Sequence, residues 1–552
     1  MAVTVWSVWA MGIATLMAQT TPPEKCVFEG TARNSVTQLG IPKVTIRLIP
    51  NNGSIGYVGS SKPDGTFRFE NVVPGDYRVE AQRAGYSAQW VLSDRSGHAI
   101  PTLSLTAGQI LTGNILGLTP DGAISGKVIA PDGEPLPFAV IHMIERKWRR
   151  GKRVYLATNT ATTDDAGVFH FGSVAAGHYW IYAARPNSSG LGGLIVDAAG
   201  QTEMRIAGRY YPNAAHLDAA APIEVRAGEE VSGIDFKLPL APVFHITGAY
   251  SNQGEKIGIA LTSRYRDQKL DWETEGASLG KDGKFSFDAV PSGSYFLYSR
   301  ESSSRDLVIG PKLPVTVGAK DVASLIAPPV SRIELKGRIR AEGDSALEKI
   351  PVLIFCEGSE ADAYTAAQCR TEPQPNGSFT IRNLTADRYL MRIANLETGK
   401  DGGYYLKTLT VNGVQITGHE IDLTGGPPES VELVLSATTG GLEGTVVRPE
   451  PPEAADLTVV MIPGKLPSGA SEPMYAYLDP TSHFQATDLE PGTYRIFAVP
   501  AYDWGLWQNA EFLRLIAGRG VSVEVTANAR TGVEVHALRA SDVRQAEEKV
   551  EQ

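Results

Sequence analysis

The chain has 552 residues, with 51 Lys and Arg against 61 Asp and Glu, and the resulting formal net charge of -10 argues against nucleic acid as a general partner. Its 57 Gly and 35 Pro are typical of a chain rich in turns, and the long 3.6-residue periodicity of helical proteins is missing. Only three cysteines are present, so the hydrophobic cores do not depend on disulfide bonds.

The N-terminal segment reads as an export signal. Residues 2–18 are apolar apart from two threonines and a serine, and a Pro-Pro linker follows at 22–23. We therefore predict a signal peptide and linker over residues 1–23 and an exported protein, either periplasmic, outer-surface or secreted. Because the segment lacks Lys and Arg, an uncleaved anchor stays open as the alternative; otherwise we expect no membrane span in the mature chain.

Five repeats of one pattern follow, each with a phenylalanine and, ten residues later, a tyrosine. In the first copy, Phe67 and Phe69 alternate with Thr66 and Arg68, which is the period of a half-buried strand. A slip of one residue would turn every large side chain to the opposite face, so the constant spacing predicts a shared register. The pairs are Phe67 and Tyr77, Phe169 and Tyr179, Phe285 and Tyr295, Phe379 and Tyr389, and Phe484 and Tyr494.

Glycines recur at three positions of the repeat. A turn glycine stands two residues before the phenylalanine, with Ser482 replacing it in the fifth copy. The position eight residues after the phenylalanine predicts a turn with positive φ; it holds Gly75, Gly177, Gly293, Asp387 and Gly492. Each repeat also opens with a strand that contains a glycine, namely Gly30, Gly126, Gly248, Gly337 and Gly444.

The tyrosines lie about 100 residues apart, which is the size of one small sandwich domain. We predict an all-β chain of five domains, with two helical turns at 509–517 as one exception. No segment remains for a large α/β catalytic domain, so we expect a protein that is not an enzyme and carries no cofactor. The predicted domains are 24–118, 119–240, 241–330, 331–437 and 438–539, followed by a charged tail at 540–552.

The Asp-Gly-x-Phe-x-Phe … Pro-Gly-x-Tyr pattern, written out at residues 64–69 and 74–77, resembles the carboxypeptidase regulatory-like family. The resemblance implies a tandem array of immunoglobulin-like or transthyretin-like β-sandwiches, close in shape to starch-binding and B-type collagen-adhesin domains. It covers nearly the whole chain after the N-terminal segment. The pattern consists of glycines and aromatics that specify a fold rather than a function.

Two kinds of site that the family suggests are not expected here. His142 and Glu145 have the spacing of a zinc pair, but residues three apart on a strand point to opposite faces, and we predict no metal site. His170 and His178 read as a solvated surface pair for want of further ligands. The isopeptide bond of adhesin domains needs a glutamate four residues after the repeat tyrosine, where this chain has Ala81, Ala183, Ser299, Ile393 and Ala498.

Aromatic residues supply the candidate ligand-binding sites. Tyr502, Trp504 and Trp507 form a loop cluster that could stack on sugars, with packing in a core as the alternative. Trp148 lies in a basic cluster at 146–153, which reads either as a site for an anionic glycan or lipid headgroup or as a solvated hairpin.

The cysteines allow one disulfide bond. Cys356 and Cys369 flank what reads as a hairpin in the fourth repeat, and they form either a disulfide across it or two buried free thiols. Cys26 is then left without a partner.

From these observations we expect weak carbohydrate binding, in which repeated modules gain avidity for a polysaccharide. The alternative is a structural spacer or interaction scaffold that holds a cell-envelope protein. A third reading is an accessory subunit of a hydrolase or transporter.

Overall fold

The computed structural model describes residues 24–50, 56–93, 103–185, 195–196, 202–250, 257–302, 307–343, 352–358, 369–395, 403–449, 457–464, 473–478, 482–500 and 503–550. Within these residues the fold is an all-β tandem array of immunoglobulin-like sandwiches, one for each sequence repeat, and each sandwich has its own hydrophobic core. None of the helices in this part of the chain has the length and hydropathy of a membrane span.

Repeat 1 packs two antiparallel-dominated sheets face to face. Its strands are β1 (Cys26–Asn34), β2 (Thr45–Pro50), β3 (Tyr57–Ser60), β4 (Thr66–Val72), β5 (Gly75–Gln82), β6 (Tyr86–Ser93), β7 (Leu103–Leu105) and β8 (Ile110–Pro120). One sheet has the order β4-β1-β8-β6 and the other the order β3-β2-β5-β7.

Repeat 2 has the same plan with a much longer hairpin. Its strands are β9 (Gly122–Ile129), β10 (Val140–Arg149), β11 (Lys152–Thr162), β12 (Val168–Val174), β13 (Gly177–Ala184), β14 (Ile195–Val196), β15 (Glu203–Ile206), β16 (Arg209–Tyr210), β17 (Ile223–Val225), β18 (Glu230–Val231) and β19 (Phe236–Lys237). One sheet has the order β12-β9-β18 and the other the order β11-β10-β13-β16, with β17 also paired to β13.

Repeat 3 is joined to repeat 2 by strand pairing. Its strands are β20 (Leu240–Tyr250), β21 (Ile257–Tyr265), β22 (Gln268–Ser278), β23 (Lys284–Pro291), β24 (Gly293–Ser302), β25 (Leu307–Ile309), β26 (Leu313–Val317) and β27 (Val322–Ala327). One sheet has the order β22-β21-β24-β25. In the other, β15 of repeat 2 pairs with the first residues of β20, so the two domains share a sheet.

Repeats 4 and 5 follow the same plan, and repeat 5 adds helices. The strands of repeat 4 are β28 (Ile333–Ala341), β29 (Val352–Gly358), β30 (Arg370–Thr371), β31 (Ser378–Leu384), β32 (Arg388–Asn395), β33 (Tyr405–Val411), β34 (Val414–Ile416), β35 (Glu420–Asp422) and β36 (Val431–Ser436). Those of repeat 5 are β37 (Gly440–Val447), β38 (Leu457–Pro463), β39 (Met474–Tyr477), β40 (His483–Leu489), β41 (Gly492–Pro500), β42 (Val521–Val525) and β43 (Arg530–His536).

The helices of repeat 5 form a layer outside its sandwich. A 3-10 turn spans Trp504–Gln508, α1 spans Ala510–Ile516 as the sequence predicts, and α2 spans Ala540–Val550. The segment that reads as a charged tail is therefore largely helical, and its Val543 is buried. Both helices pack on the outer face of the sheet β39-β38-β41-β42 through a second apolar cluster that includes Val460, Phe497 and Trp507.

The repeat tyrosine fastens a corner of each sandwich. The hydroxyl of Tyr77 donates to the carbonyl of Val73 at 2.6 Å, and the equivalent bonds from Tyr179, Tyr295 and Tyr494 measure 2.8, 2.8 and 2.9 Å. In repeat 4 the direction is reversed, because the Thr385 N–H donates to the Tyr389 hydroxyl. The ring fills the core while its hydroxyl is satisfied, which explains why tyrosine recurs at this position.

Neighbouring atoms approach the strand glycine of each repeat so closely that no side chain fits there. A Cβ at Gly444 would lie 2.0 Å from the Val533 carbonyl oxygen on the neighbouring parallel strand. At Gly126 it would lie 2.0 Å from the Ile234 oxygen. In four of the five repeats the ring of the repeat phenylalanine also lies within 3.0 Å of that Cβ position.

The turn predictions hold in part. The glycines two residues before the phenylalanine have positive φ, and Ser482 takes the same conformation with φ of 61°. Eight residues after the phenylalanine, positive φ occurs at Gly75 and Gly492 but not in repeats 2 to 4. In four repeats a left-handed residue also stands four after the phenylalanine, where the strand register shifts at a bulge; these residues are Asn71, Ser173, Asn383 and Asp488.

Candidate functional site

The basic cluster at 146–153 forms the tip of the long hairpin in repeat 2. Strands β10 and β11 pair from Val140 to Arg149, and the two turn residues, Arg150 and Gly151, have φ of 48° and 72°. Positive φ at both positions is what a tight two-residue hairpin turn requires. Pairing of β10 with β13 ends at Glu145, so the tip projects beyond the sandwich.

The projecting tip docks on the helical layer of repeat 5. We call this contact the clamp; it consists of residues 146–153, 503–509 and 540–550. The Trp148 N–H donates to the Asp503 carboxylate at 2.5 Å, and the Gly151 N–H donates to the Gly505 carbonyl at 3.0 Å. The Asn509 amide donates to the Gly151 carbonyl at 2.8 Å. Main-chain groups about three domains apart in sequence thus bond directly.

The Trp148 ring lies at the centre of the clamp and is only 7% exposed. Its Nε1 donates to Glu547 at 2.8 Å, and the same carboxylate pairs with Arg153 at 3.0 Å. The Arg153 guanidinium lies 4.3 Å from the centre of the Trp148 ring, within the range of a cation–π contact. One carboxylate therefore neutralises a cation and satisfies the indole N–H in a partly buried contact.

Capping residues of repeat 5 build the receiving surface. Asp503 caps the 3-10 turn by accepting from the Gly505 N–H at 3.2 Å. Its other carboxylate oxygen accepts from the Trp148 N–H of the hairpin tip. Asn509 caps α1 by accepting from the Phe512 N–H at 2.8 Å. A Cβ at Gly505 would lie 2.3 Å from the Trp148 carbonyl oxygen, so only glycine admits the tip so closely.

Helix α2 brings Glu547 to the clamp through its amphipathic pattern. Val543 is buried against the apolar cluster, and Ala546 and Val550 also pack on it. Residues three and four apart share one face of a helix, so Glu547 emerges beside Val543 on the packed face. Its neighbour Glu548 points to the exposed face.

The structure gives the predicted ligand-binding residues different surroundings: Trp148 and Trp507 pack in one apolar cluster, and Trp504 lies in the same 3-10 turn as Trp507. Tyr502 lies outside the described residues. Trp507 is fully buried and Trp148 nearly so, and neither offers the open ring face that sugar stacking needs. The packing alternative therefore describes these two rings, although Lys147 and Lys152 of the basic tip stay exposed. Trp504 is 46% exposed.

Trp504 belongs to an aromatic platform that the sequence patterns did not suggest. Its ring meets Tyr475 edge-on, with centroids 4.0 Å apart. Tyr477 stands two residues further along the edge strand β39 and is 73% exposed. Because side chains two apart on a strand share a face, Tyr475 and Tyr477 lie on the same face of β39, and we call Trp504, Tyr475 and Tyr477 the aromatic platform.

A second contact between domains joins repeats 2 and 3. Gln268 brackets the main chain of Tyr155, accepting from its N–H at 3.0 Å and donating to its carbonyl at 2.5 Å. Tyr210 donates to the Glu273 carboxylate and accepts from the Trp272 indole at 3.0 Å. Burial raises the pKa of Glu273 despite these bonds.

The cysteines and the pair of His142 and Glu145 are the remaining candidates from the sequence. Cys26, Cys356 and Cys369 are free thiols in the structure, and all three are buried. His142 contacts the Thr160 hydroxyl at 3.3 Å, whereas Glu145 pairs with Lys147 at 2.5 Å. Among the described residues no group of three metal-ligating side chains occurs.

Comparison with known proteins yields structural likeness alone. No protein-family model matches the chain, and no curated protein is similar to it. A streptococcal ancillary pilin aligns at 11% identity over 53% of this chain and 99% of its own, with a TM-score of 0.15. A minor pilin of Streptococcus agalactiae aligns at 12% identity over 40% and 97%, with a TM-score of 0.21. At these scores the likeness carries no argument, and the fold follows from the strand pairing above.

Proposed function

We propose that the chain is an exported, non-enzymatic scaffold of the cell envelope whose domains are held in one arrangement by the clamp. The clamp is the observation that carries this proposal. A simple spacer would connect repeats 2 and 5 only through repeats 3 and 4, whereas here the two domains also bond directly through Trp148 and Gly151. A fixed arrangement suits a protein that presents several surfaces to an envelope partner at set distances.

Contacts at the other junctions support the same role. Arg332 joins Glu301 across repeats 3 and 4 at 3.1 Å. The Gly403 N–H donates to Asp488 across repeats 4 and 5 at 3.1 Å. The pair of Arg332 and Glu301 is modest by itself, because a surface ion pair contributes about 0–1 kcal/mol. Together with the clamp they connect repeats 2 to 5 in a closed circuit.

The test compares two neighbouring charge removals on helix α2. Glu547→Ala removes the partner of Trp148 and Arg153, whereas Glu548→Ala removes an exposed charge on the same helix. We expect the maximum dimension from small-angle X-ray scattering to increase for Glu547→Ala and to stay at the wild-type value for Glu548→Ala. Equal dimensions for all three proteins would show that the clamp does not hold the array.

Carbohydrate binding is the second candidate, and the aromatic platform is the observation that favours it. Trp504 and Tyr477 are both exposed, and stacking on sugars requires exposed aromatic rings. The measurement is binding of the purified chain to an array of glycans and polysaccharides, with Trp504→Ala and Tyr477→Ala as variants. Binding that disappears in both variants would support this function. Binding that survives in both variants, or that is absent from the wild type, would rule out carbohydrate binding at the aromatic platform.

A further inference from the structure

The two cysteines of repeat 4 lie opposite each other on paired strands. Strand β29 pairs with β30 through Ile354 with Thr371 and Phe355 with Arg370, and the next pair in this register is Cys356 with Cys369. The Cys356 N–H donates to the Cys369 carbonyl at 2.8 Å. Directly opposed residues of antiparallel strands have Cα atoms about 4.5–5.5 Å apart, within the span that a disulfide bridges.

We propose that Cys356 and Cys369 are a redox-sensitive pair that closes to a disulfide bond and staples the hairpin of repeat 4. Both side chains lie in the core cluster of this domain, so they share the inner face of the sheet. This proposal depends on the proposed function in one respect, because export places the chain in the oxidising surroundings that disulfide formation needs.

The two thiols differ in their place in the sheet. Cys369 directly precedes β30, which is the edge strand of the sheet β30-β29-β32-β35, whereas Cys356 lies on the next strand inward. The neighbouring Cys356 thiol, as a hydrogen-bonding group, lowers the pKa of Cys369, whereas Cys369 together with burial raises the pKa of Cys356. Cys369 is therefore the thiol that attacks, since the thiolate is the nucleophile.

The reaction needs a disulfide oxidant, such as oxidised glutathione. The Cys369 thiolate attacks one sulfur of glutathione disulfide, which forms a mixed disulfide and releases one glutathione thiolate. Cys356 then loses its proton and attacks the Cys369 sulfur, which forms the internal disulfide and releases the second glutathione. Two thiol protons and two electrons leave the protein, and one glutathione disulfide becomes two glutathione thiols.

Cys26 provides the internal control. It is fully buried in repeat 1, where its Sγ donates to the Thr106 carbonyl at 3.0 Å, and it belongs to a different domain from the pair. A reaction governed by general thiol exposure would not distinguish it from the pair. A reaction that requires a second thiol nearby leaves Cys26 as a free thiol.

The experiment counts thiols in the full-length chain before and after oxidation. Folded protein is treated with oxidised glutathione, unfolded, and labelled with N-ethylmaleimide, and the adducts are counted by intact mass. We expect the number of labelled thiols to fall from three to one, with Cys26 as the one that remains. Cys26→Ala should then fall from two to none. Three labels on the oxidised wild type, or a disulfide that includes Cys26, would overturn the proposal.

Single serine variants test the order of attack. In Cys356→Ser, Cys369 should accumulate as the glutathione adduct, because no second thiol resolves it. In Cys369→Ser, Cys356 should remain mostly free. The opposite distribution would refute the assignment of Cys369 as the attacking thiol. These readouts do not depend on whether the clamp forms, so the proposed scaffold and the staple can fail separately.

Discussion

Removal of the Trp148 side chain is the most direct test of how strongly the clamp holds. The ring is 7% exposed, packs in the same apolar cluster as Trp507 and Phe512, and donates to Glu547. Burial of an aromatic side chain of about 150–250 Å² at about 25 cal/mol per Å² corresponds to about 4–6 kcal/mol. Measured truncations of buried tryptophan cost about 3–5 kcal/mol, and we take that range for Trp148→Ala.

The assay is hydrogen exchange at the Gly151 amide, whose N–H bonds to the Gly505 carbonyl across the clamp. Each 1.4 kcal/mol of docking free energy corresponds to a factor of ten in the open fraction. Trp148→Ala should therefore accelerate exchange at this amide by roughly 10²- to 10³-fold. Trp148→Phe keeps most of the apolar area and loses the indole bond to a charged acceptor, and should accelerate exchange by roughly 10- to 100-fold.

Tyr477→Ala is the matched control, because it removes an exposed aromatic ring from the same repeat outside the clamp. It should leave exchange at Gly151 unchanged, and all three variants should keep the wild-type rates in the core strands of repeat 1. If the Gly151 amide exchanges at the same rate in the wild type as in Trp148→Ala, the tip is not docked in solution and the scaffold proposal loses its basis.

Two further predictions concern the domains and their junction. Gly444→Ala should lower the free energy of unfolding of repeat 5 by about 1–3 kcal/mol in denaturant titration, because its Cβ would overlap the Val533 carbonyl. Gly532→Ala, with open space around its Cβ, should change it by no more than about 0.5 kcal/mol. The raised pKa of Glu273 means that the folded state binds its proton more tightly than the unfolded state. Stability at the junction of repeats 2 and 3 should thus fall as pH rises from the ordinary value near 4.5 to the raised one, and Glu273→Gln should remove this slope in thermal melts; an unchanged slope would contradict it.

The sequence predicts each sandwich well because its determinants are local. The ten-residue spacing of Phe67 and Tyr77 encodes a register, and the same register places both side chains in the core. The strand glycines were visible as a repeated residue type, although only the structure shows the neighbouring carbonyl that requires them. Bulges at positions such as Asn71 were missed, because Asn, Ser and Asp there read as ordinary polar strand residues.

The clamp could not be predicted because its partners are far apart in sequence and their types are ambiguous. A basic cluster around Trp148 reads equally well as a solvated tip or a ligand site. The sequence does carry a signal in repeat 5, where Asp503 and Asn509 stand at capping positions before helical turns. Even so, capping potential does not reveal that the same side chains also bond to a hairpin of another domain.

Because both halves of the clamp belong to one chain, modest bonds suffice to keep it closed. An intramolecular contact benefits from an effective concentration of the order of millimolar, so an intrinsic affinity of about 1 μM would hold the clamp closed roughly 1,000-fold over open. Loss of about 4 kcal/mol removes a factor of roughly 1,000 and would bring open and closed forms near parity. At that affinity, loss of the Trp148 ring would be enough to turn a fixed scaffold into a flexible string of domains.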